Sequence, residues 1–93
     1  MSNNIKLSAS LLKAIGHPIR VQIILTLANH GDMTVTELTE NLQIDQPIVS
    51  LHLAVLRKSN VILATKKGKQ SVYSILDCSV QQVVSIIYYT RKN

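Results

Sequence analysis

The sequence predicts a mainly α-helical fold with one small β-hairpin, in the order αααα-ββ-α: a winged helix-turn-helix. Three observations predict it. Two helical segments, one opening near Thr34 and one after Asp45, are separated by a turn of only about three or four residues around Gln43-Ile44, the spacing of a helix-turn-helix. Two strand-like runs follow at once and are joined by Lys66-Lys67-Gly68-Lys69, the pattern of a hairpin with a basic tip. All five acids lie outside Gln46–Leu76, whereas Arg57, Lys58, Lys66, Lys67 and Lys69 lie inside it.

Each element has its own justification. Apolar residues recur at helical spacing from Ile5 through Leu7, Leu11 and Leu12 to Ile15, and Gly16 is expected to end this first helix as its C′ residue. His17-Pro18 opens a second helix with Pro in the first turn, where a missing N–H costs nothing. Its expected apolar stripe is Val21, Ile24, Leu25 and Ala28, and Asn29-His30-Gly31-Asp32 ends it. Thr34-Val35-Thr36-Glu37 has the form of a capping box, with Met33 and Leu38 placed as a hydrophobic staple. Leu38 and Leu42 then face the core. Asp45 offers the N-cap of the fourth helix with Pro47 just inside, and Asn60 can take the left-handed conformation beyond its end. Val61–Thr65 and Gln70–Ile75 are the strands. Asp77 or Ser79 caps a last helix whose narrow stripe of Val80, Val83, Val84 and Ile87 suits a partner helix as well as a core.

The fourth helix is two-sided. At 100° per residue Val49, His52, Leu53 and Leu56 cluster on one side, with Ile48 at its edge, and face the core. The other side carries Pro47, Ser50, Leu51, Ala54 and Lys58, with Gln46 and Arg57 at its margin. A solvated helix face normally carries Glu and Lys. This one is acid-free and built of short residues, as insertion into a DNA major groove requires. Gln46 can pair with an adenine edge, Ser50 with a base or phosphate, and Leu51 can pack on a thymine methyl. Lys66, Lys67 and Lys69 are point charges suited to phosphates. The DNA-contacting set is therefore Gln46, Pro47, Ser50, Leu51, His52, Arg57, Lys66, Lys67 and Lys69. His52 sits near the buried edge, where a satisfied structural hydrogen bond is also expected of it.

The totals set the bounds. The chain has 93 residues, a formal net charge of +5 and 46% hydrophobic residues, so one domain spanning 1–93 is expected and a disordered tail is excluded. Phe and Trp are absent, leaving Leu, Ile and Val to build the core. A chain this short is marginal alone, and with a single cysteine, Cys78, oligomerisation is the expected remedy. No apolar run approaches the roughly 20 residues of a membrane span, and the N-terminus lacks a signal-peptide pattern, so a cytoplasmic protein is expected. Five scattered acids and no Ser or Cys with a His partner give no catalytic constellation, so no enzyme and no cofactor are expected.

On these residues the chain resembles the ArsR/SmtB family of small dimeric transcriptional regulators. The segments that carry the likeness are LLKAIGHPIRVQIILTL, VTELTENLQIDQPIVSLHLAVLRKSNVI and KKGKQSVYSI, within roughly Leu11 to Thr90. The pattern Ser50-x-His52-Leu53-x-x-Leu56, followed by Val61-Ile62 and a basic wing, is specific in combination. The resemblance implies a homodimer joined through the first and last helices, here by Leu7, Leu11, Val80, Val83, Val84 and Ile87. It also implies binding to an imperfect palindrome of double-stranded DNA and repression by occluding the polymerase. Three departures stand out: Gln43 where the family usually holds Gly, Asp45 where it holds Ser, and Leu51 where it is often polar.

The family's sensor sites are not matched. A Cys-x-Cys pair at the start of the third helix is here Thr34 and Thr36, which are not zinc ligands. Of the Asp, His, His and acidic positions of the last helix, Asp77 remains, beside Ser79, Thr90 and Asn93. His17 reads as a cap or turn residue and His30 as solvated. A second-helix cysteine partner for Cys78 is missing, Thr26 or a neighbour standing there, so Cys78 reads as a packing or incidental residue. No metal ligand set is expected. The leading reading is a dimeric, sequence-specific repressor. The alternatives are a winged-helix module that binds a protein through Leu51 and Tyr88-Tyr89, and a nonspecific nucleoid-type binder.

Overall fold

The computed structural model describes residues 2–91. The chain runs α1 (Asn3–Ile15), α2 (Pro18–His30), β1 (Met33–Thr34), α3 (Val35–Leu42), α4 (Gln46–Lys58), β2 (Ile62–Lys67), β3 (Gln70–Ile75) and α5 (Cys78–Arg91). This is the expected winged helix-turn-helix order with one strand added.

α1 begins two residues before Ile5 because Ser2 Oγ accepts the Ile5 N–H at 3.2 Å and caps the helix. Gly16 ends it, though not in the left-handed form expected: its φ is −81° and its N–H donates to the Lys13 carbonyl at 3.2 Å. Space constrains the residue here, since a Cβ would lie 3.3 Å from the Leu12 carbonyl oxygen. α2 leaves at 92° to α1. Pro18 opens it and Gly31, at φ 82°, closes it. α2 packs on α3, α4, β3 and α5 at once, so its apolar surface wraps the helix instead of forming the stripe expected. Ile23, Ile24 and Leu27 are its buried residues, Val21 and Leu25 are half-buried, and Ala28 is exposed.

β1 was not expected. A helix N-cap residue is commonly extended, and Thr34 (φ −77°, ψ 165°), the N-cap of α3, already is. This stretch lies antiparallel to β3, pairing Met33 with Tyr73 and Thr34 with Val72, and Met33 is buried. The sheet order is β1-β3-β2. β2 and β3 pair from Ile62↔Ile75 to Lys67↔Gln70. Lys66 and Lys67 therefore belong to the strand, and only Gly68 and Lys69 form the turn. Gly68 has φ 65° and Lys69 does not share it, the pattern of a type II′ hairpin turn with Gly first. The wing is tied to α5 where the Leu76 and Asp77 N–H groups both donate to the Val61 carbonyl.

Of the two possible caps for α5, Asp77 takes the role. Its Oδ1 accepts from Ser79 Oγ at 2.6 Å, Ser79 N–H at 3.1 Å and Val80 N–H at 3.2 Å. Those bonds, the Ser79 hydroxyl first, hold its carboxyl below the usual carboxylate range. The core is centred on Ile23, Ile24, Leu38, Val49, Leu53, Leu56, Val61 and Ile62, all fully buried. Val80 and Val84 join it, at 7% and 3% exposure. Those two positions, expected at a partner interface, instead fasten α5 to its own protomer, and Leu11 is half-buried against the same core. Leu7, Val83 and Ile87 are exposed.

Candidate nucleic-acid interface

The helix-turn-helix is fixed at both of its ends. Both halves of the capping box form: the Thr34 N–H donates to Glu37 Oε1 at 2.9 Å and the Glu37 N–H donates to Thr34 Oγ1 at 3.1 Å. Met33 and Leu38, the expected staple, are both buried. Gln43 ends α3 in the left-handed conformation, φ 55° and ψ 44°, with its N–H on the Thr39 carbonyl at 2.9 Å. A left-handed non-glycine costs roughly 1–2 kcal/mol. This is why a glycine suits the position and what this chain forgoes there. Asp45 occupies the N-cap of α4, but its carboxylate makes no capping bond. The expected cap fails because Pro47 offers no N–H, and the Ile48 N–H donates to the Asp45 backbone carbonyl.

α4 is held by Val49, Leu53 and Leu56, all buried, and presents Gln46, Pro47, Ser50, Leu51, Ala54, Arg57 and Lys58 outward, all exposed. Leu51 is 63% exposed. An apolar side chain so placed on the outer crest of the second helix of a helix-turn-helix is free to meet a groove. No acid lies on this face. Asp45, exposed at the helix start, is the nearest in sequence.

His52 is not part of that face. It is buried, and its ring meets that of His17 at 4.3 Å between centroids and 35° between planes. His52 is therefore withdrawn from the contacting set. The expected satisfied hydrogen bond is also missing, since its Nδ1 is buried without a partner. Burial, then the nearby His17 and Arg20, push its imidazole below the usual range.

Lys66, Lys67 and Lys69 are all exposed on the wing. An open cleft between the wing and the end of α4 is lined by Arg57, Asn60, Lys66 and Ser71 over an apolar floor that includes Ile62 and Leu76. It offers two cations and two neutral hydrogen-bonding side chains, the chemistry of a phosphate seat. Asn60 and Ser71 were missed from sequence. Only the β2–β3 register, which sets Ser71 opposite Lys66, brings Ser71 here. Asn60 was legible as a turn residue, and it does adopt φ 60°.

At the positions where the resemblance implies metal ligands, the side chains present have other partners or other chemistry. Thr34 Oγ1 is spent on the capping box and Asp77 Oδ1 on the α5 cap. Thr36 and Thr90 bring hydroxyls rather than thiolate or imidazole, and Asn93 lies outside the described residues. Cys78 is exposed. Among the described residues no single helix is long and apolar enough to cross a membrane.

Comparison with known proteins agrees with this geometry. The family model described as "Bacterial regulatory protein, arsR family" matches residues 17–63, from the start of α2 into β2. An uncharacterized HTH-type transcriptional regulator of Methanocaldococcus jannaschii is 34% identical over 80 residues, covering 86% of this chain and 90% of that one. The biofilm growth-associated repressor of Xylella fastidiosa is 35% identical over 80 residues, covering 86% of this chain and 69% of its own. The crystal structure of the repressor BigR from the same organism superposes with a TM-score of 0.87 at 30% identity, covering 100% of this chain and 99% of that one. HlyU from Vibrio cholerae gives 0.88 at 26% identity, covering 98% of each chain. The chain belongs to the arsR family of bacterial regulatory proteins, DNA-binding transcriptional regulators with a winged helix-turn-helix fold, and not to a family of enzymes.

Proposed function

We propose that the protein is a homodimeric, sequence-specific transcriptional repressor that acts in the cytoplasm, binds an imperfect DNA palindrome and lacks the family's metal and dithiol sensor sites. The observation that carries the DNA reading is the exposure of Gln46, Ser50, Leu51, Arg57, Lys66, Lys67 and Lys69 within a stretch of chain, Gln46–Leu76, that holds no acid. Gln46, Ser50 and Leu51 read base edges. Arg57, Lys66, Lys67 and Lys69 hold phosphates, with Asn60 and Ser71 beside them.

The dimer reading rests on apolar exposure on α1 and α5. Ile5, Leu7 and Leu12 on α1 and Val83, Ile86 and Ile87 on α5 are all between 41% and 63% exposed. A groove of about 470 Å³ between these helices is lined by Leu12, Ile15, Val84, Ile87 and Tyr88. A contiguous apolar surface of this kind marks an interaction site. A two-fold pairing through it sets the two α4 helices to enter major grooves one helical turn apart, about 34 Å.

The test is binding to a duplex recovered from a random DNA pool, compared with an unrelated duplex, across a salt series. Replacing Lys66, Lys67 and Lys69 by Gln removes three cations from each protomer of the dimer, weakens binding to both duplexes and flattens the log–log salt slope by about 5, close to 0.9 for each phosphate that is no longer neutralised. Equal wild-type affinity for the two duplexes would mark a nonspecific nucleoid-type binder. Absence of DNA affinity, with an unchanged protein partner after reversal of the wing charges, would mark an interaction module.

A further inference from the structure

We infer that His52 is a positioning residue for DNA binding: its neutral ring, set against that of His17, seats the recognition helix on the start of α2, and protonation of His52 lowers DNA affinity. The inference rests on the reading of α4 as the helix that enters the groove.

Three independent features of this ring pair demand neutral imidazoles. His17 is the N-cap of α2, and its Nδ1 accepts the Ile19 N–H at 3.1 Å. A nitrogen that accepts carries no proton, so this bond selects the neutral ring with its hydrogen on Nε2. His52 Nδ1 is buried without a partner, so a proton there would create a buried donor with nothing to donate to. The two centroids are 4.3 Å apart, a distance at which two imidazolium rings repel.

The surrounding charges do not compensate. Burial is the first cause that disfavours protonation of His52, the adjacent His17 ring the second and the Arg20 guanidinium the third. The Arg20 guanidinium is itself turned to the Ala14 carbonyl, at 2.9 Å, and its Nε is buried without a partner. The other elements packed on α4 are α1, α3 and β2. Their charged groups are Lys6 and Lys13, Glu37 and Glu40, and Lys66 and Lys67, all exposed, with Glu37 committed to the Thr34 N–H.

His52 lies one helical turn from Leu56 and directly between Ser50-Leu51 and Leu53, so anything that lifts its ring from the core tilts the outward face. The sign of the consequence is diagnostic. Added positive charge ordinarily tightens DNA binding. Here acidification weakens it.

The test measures affinity for the duplex recovered from the random pool between about pH 7.5 and about pH 5.5, with far-UV circular dichroism on the same samples. Wild-type affinity falls several-fold while the helical signal is unchanged. His17→Asn keeps an N-cap acceptor for the Ile19 N–H and reduces the fall. His52→Gln abolishes most of it, and if that variant fails to fold, a fall that His17→Asn leaves undiminished overturns the inference. His30→Gln, at an exposed site ending α2, keeps the fall. The inference is overturned if wild-type affinity holds or rises on acidification. It is equally overturned if the fall survives undiminished in the folded variants, or if it merely tracks loss of helical signal. Absence of DNA binding at neutral pH would overturn the DNA reading and this inference together, whereas normal binding without acid sensitivity overturns only the inference.

Discussion

At the scale of single residues, the caps decide where the helices start, and they were legible unevenly. Thr34 and Glu37 could be paired from their spacing, because a capping box is a local motif and both bonds form within four residues. Asp45 departs from expectation for an equally local reason: Pro47 removes the donor its carboxylate needed. Gln43 carries left-handed strain. Gln43→Gly relieves it at the expense of a more flexible unfolded chain, for a net gain on the order of 0.5 kcal/mol. Urea unfolding checks this, and a loss of stability would contradict it. Asp77 gives the complementary case. Asp77→Ala removes the acceptor of three bonds at the start of α5 and costs about 1 kcal/mol, within the usual range for a cap. Because the Asp77 carboxyl is held below its ordinary value, its contribution is present at neutral pH and is lost as pH falls below about 4. The difference between wild type and Asp77→Ala therefore shrinks in acid, as parallel unfolding curves at two pH values would show. His52 was only half legible. Its place on the inner side followed from the helical wheel, but its neighbour His17 lies on another helix, far back along the chain, and no periodicity links them.

At the scale of elements, all five helices and the hairpin could be read from spacing and turn chemistry. β1 could not, because two residues carry no period and their strand character comes from pairing with β3. α2 illustrates another limit. A wheel assumes one buried face, and a central helix with neighbours on several sides has no such face. α5 is the informative mixture. Its apolar stripe was equally suited to a core and to a partner, and the fold divides it, with Val80 and Val84 inward and Val83 and Ile87 outward. Substitutions on the two sides should therefore fail differently. Val84→Asp buries an unpaired charge and unfolds the protomer. Ile87→Glu leaves the fold intact and yields a monomer. Circular dichroism with sedimentation velocity separates these outcomes, and a folded dimer in Ile87→Glu would contradict the proposed pairing through α5.

At the scale of the whole molecule, charge and apolar surface are sorted to different regions. The acid-free stretch Gln46–Leu76 supplies α4 and the wing, while most of the large exposed aliphatic residues gather on α1 and α5, with Ile48, Leu51 and Leu76 as the exceptions. The charge segregation was visible in sequence because it needs only order along the chain. The cleft that joins Arg57 and Asn60 to Lys66 and Ser71 was not, since it depends on how β2 and β3 pair and where the hairpin sits beside α4. On the proposed function, the outer face of α4, with Leu51 at its crest, reads DNA sequence. Parallel selection of duplexes from a random pool by wild type and by Leu51→Gln tests it most directly. The prediction is two inverted half-sites about one helical turn apart for both proteins, with Leu51→Gln losing preference for a single thymine in each half-site while melting like wild type. No enriched sequence, or identical sequences from the two proteins, would contradict it.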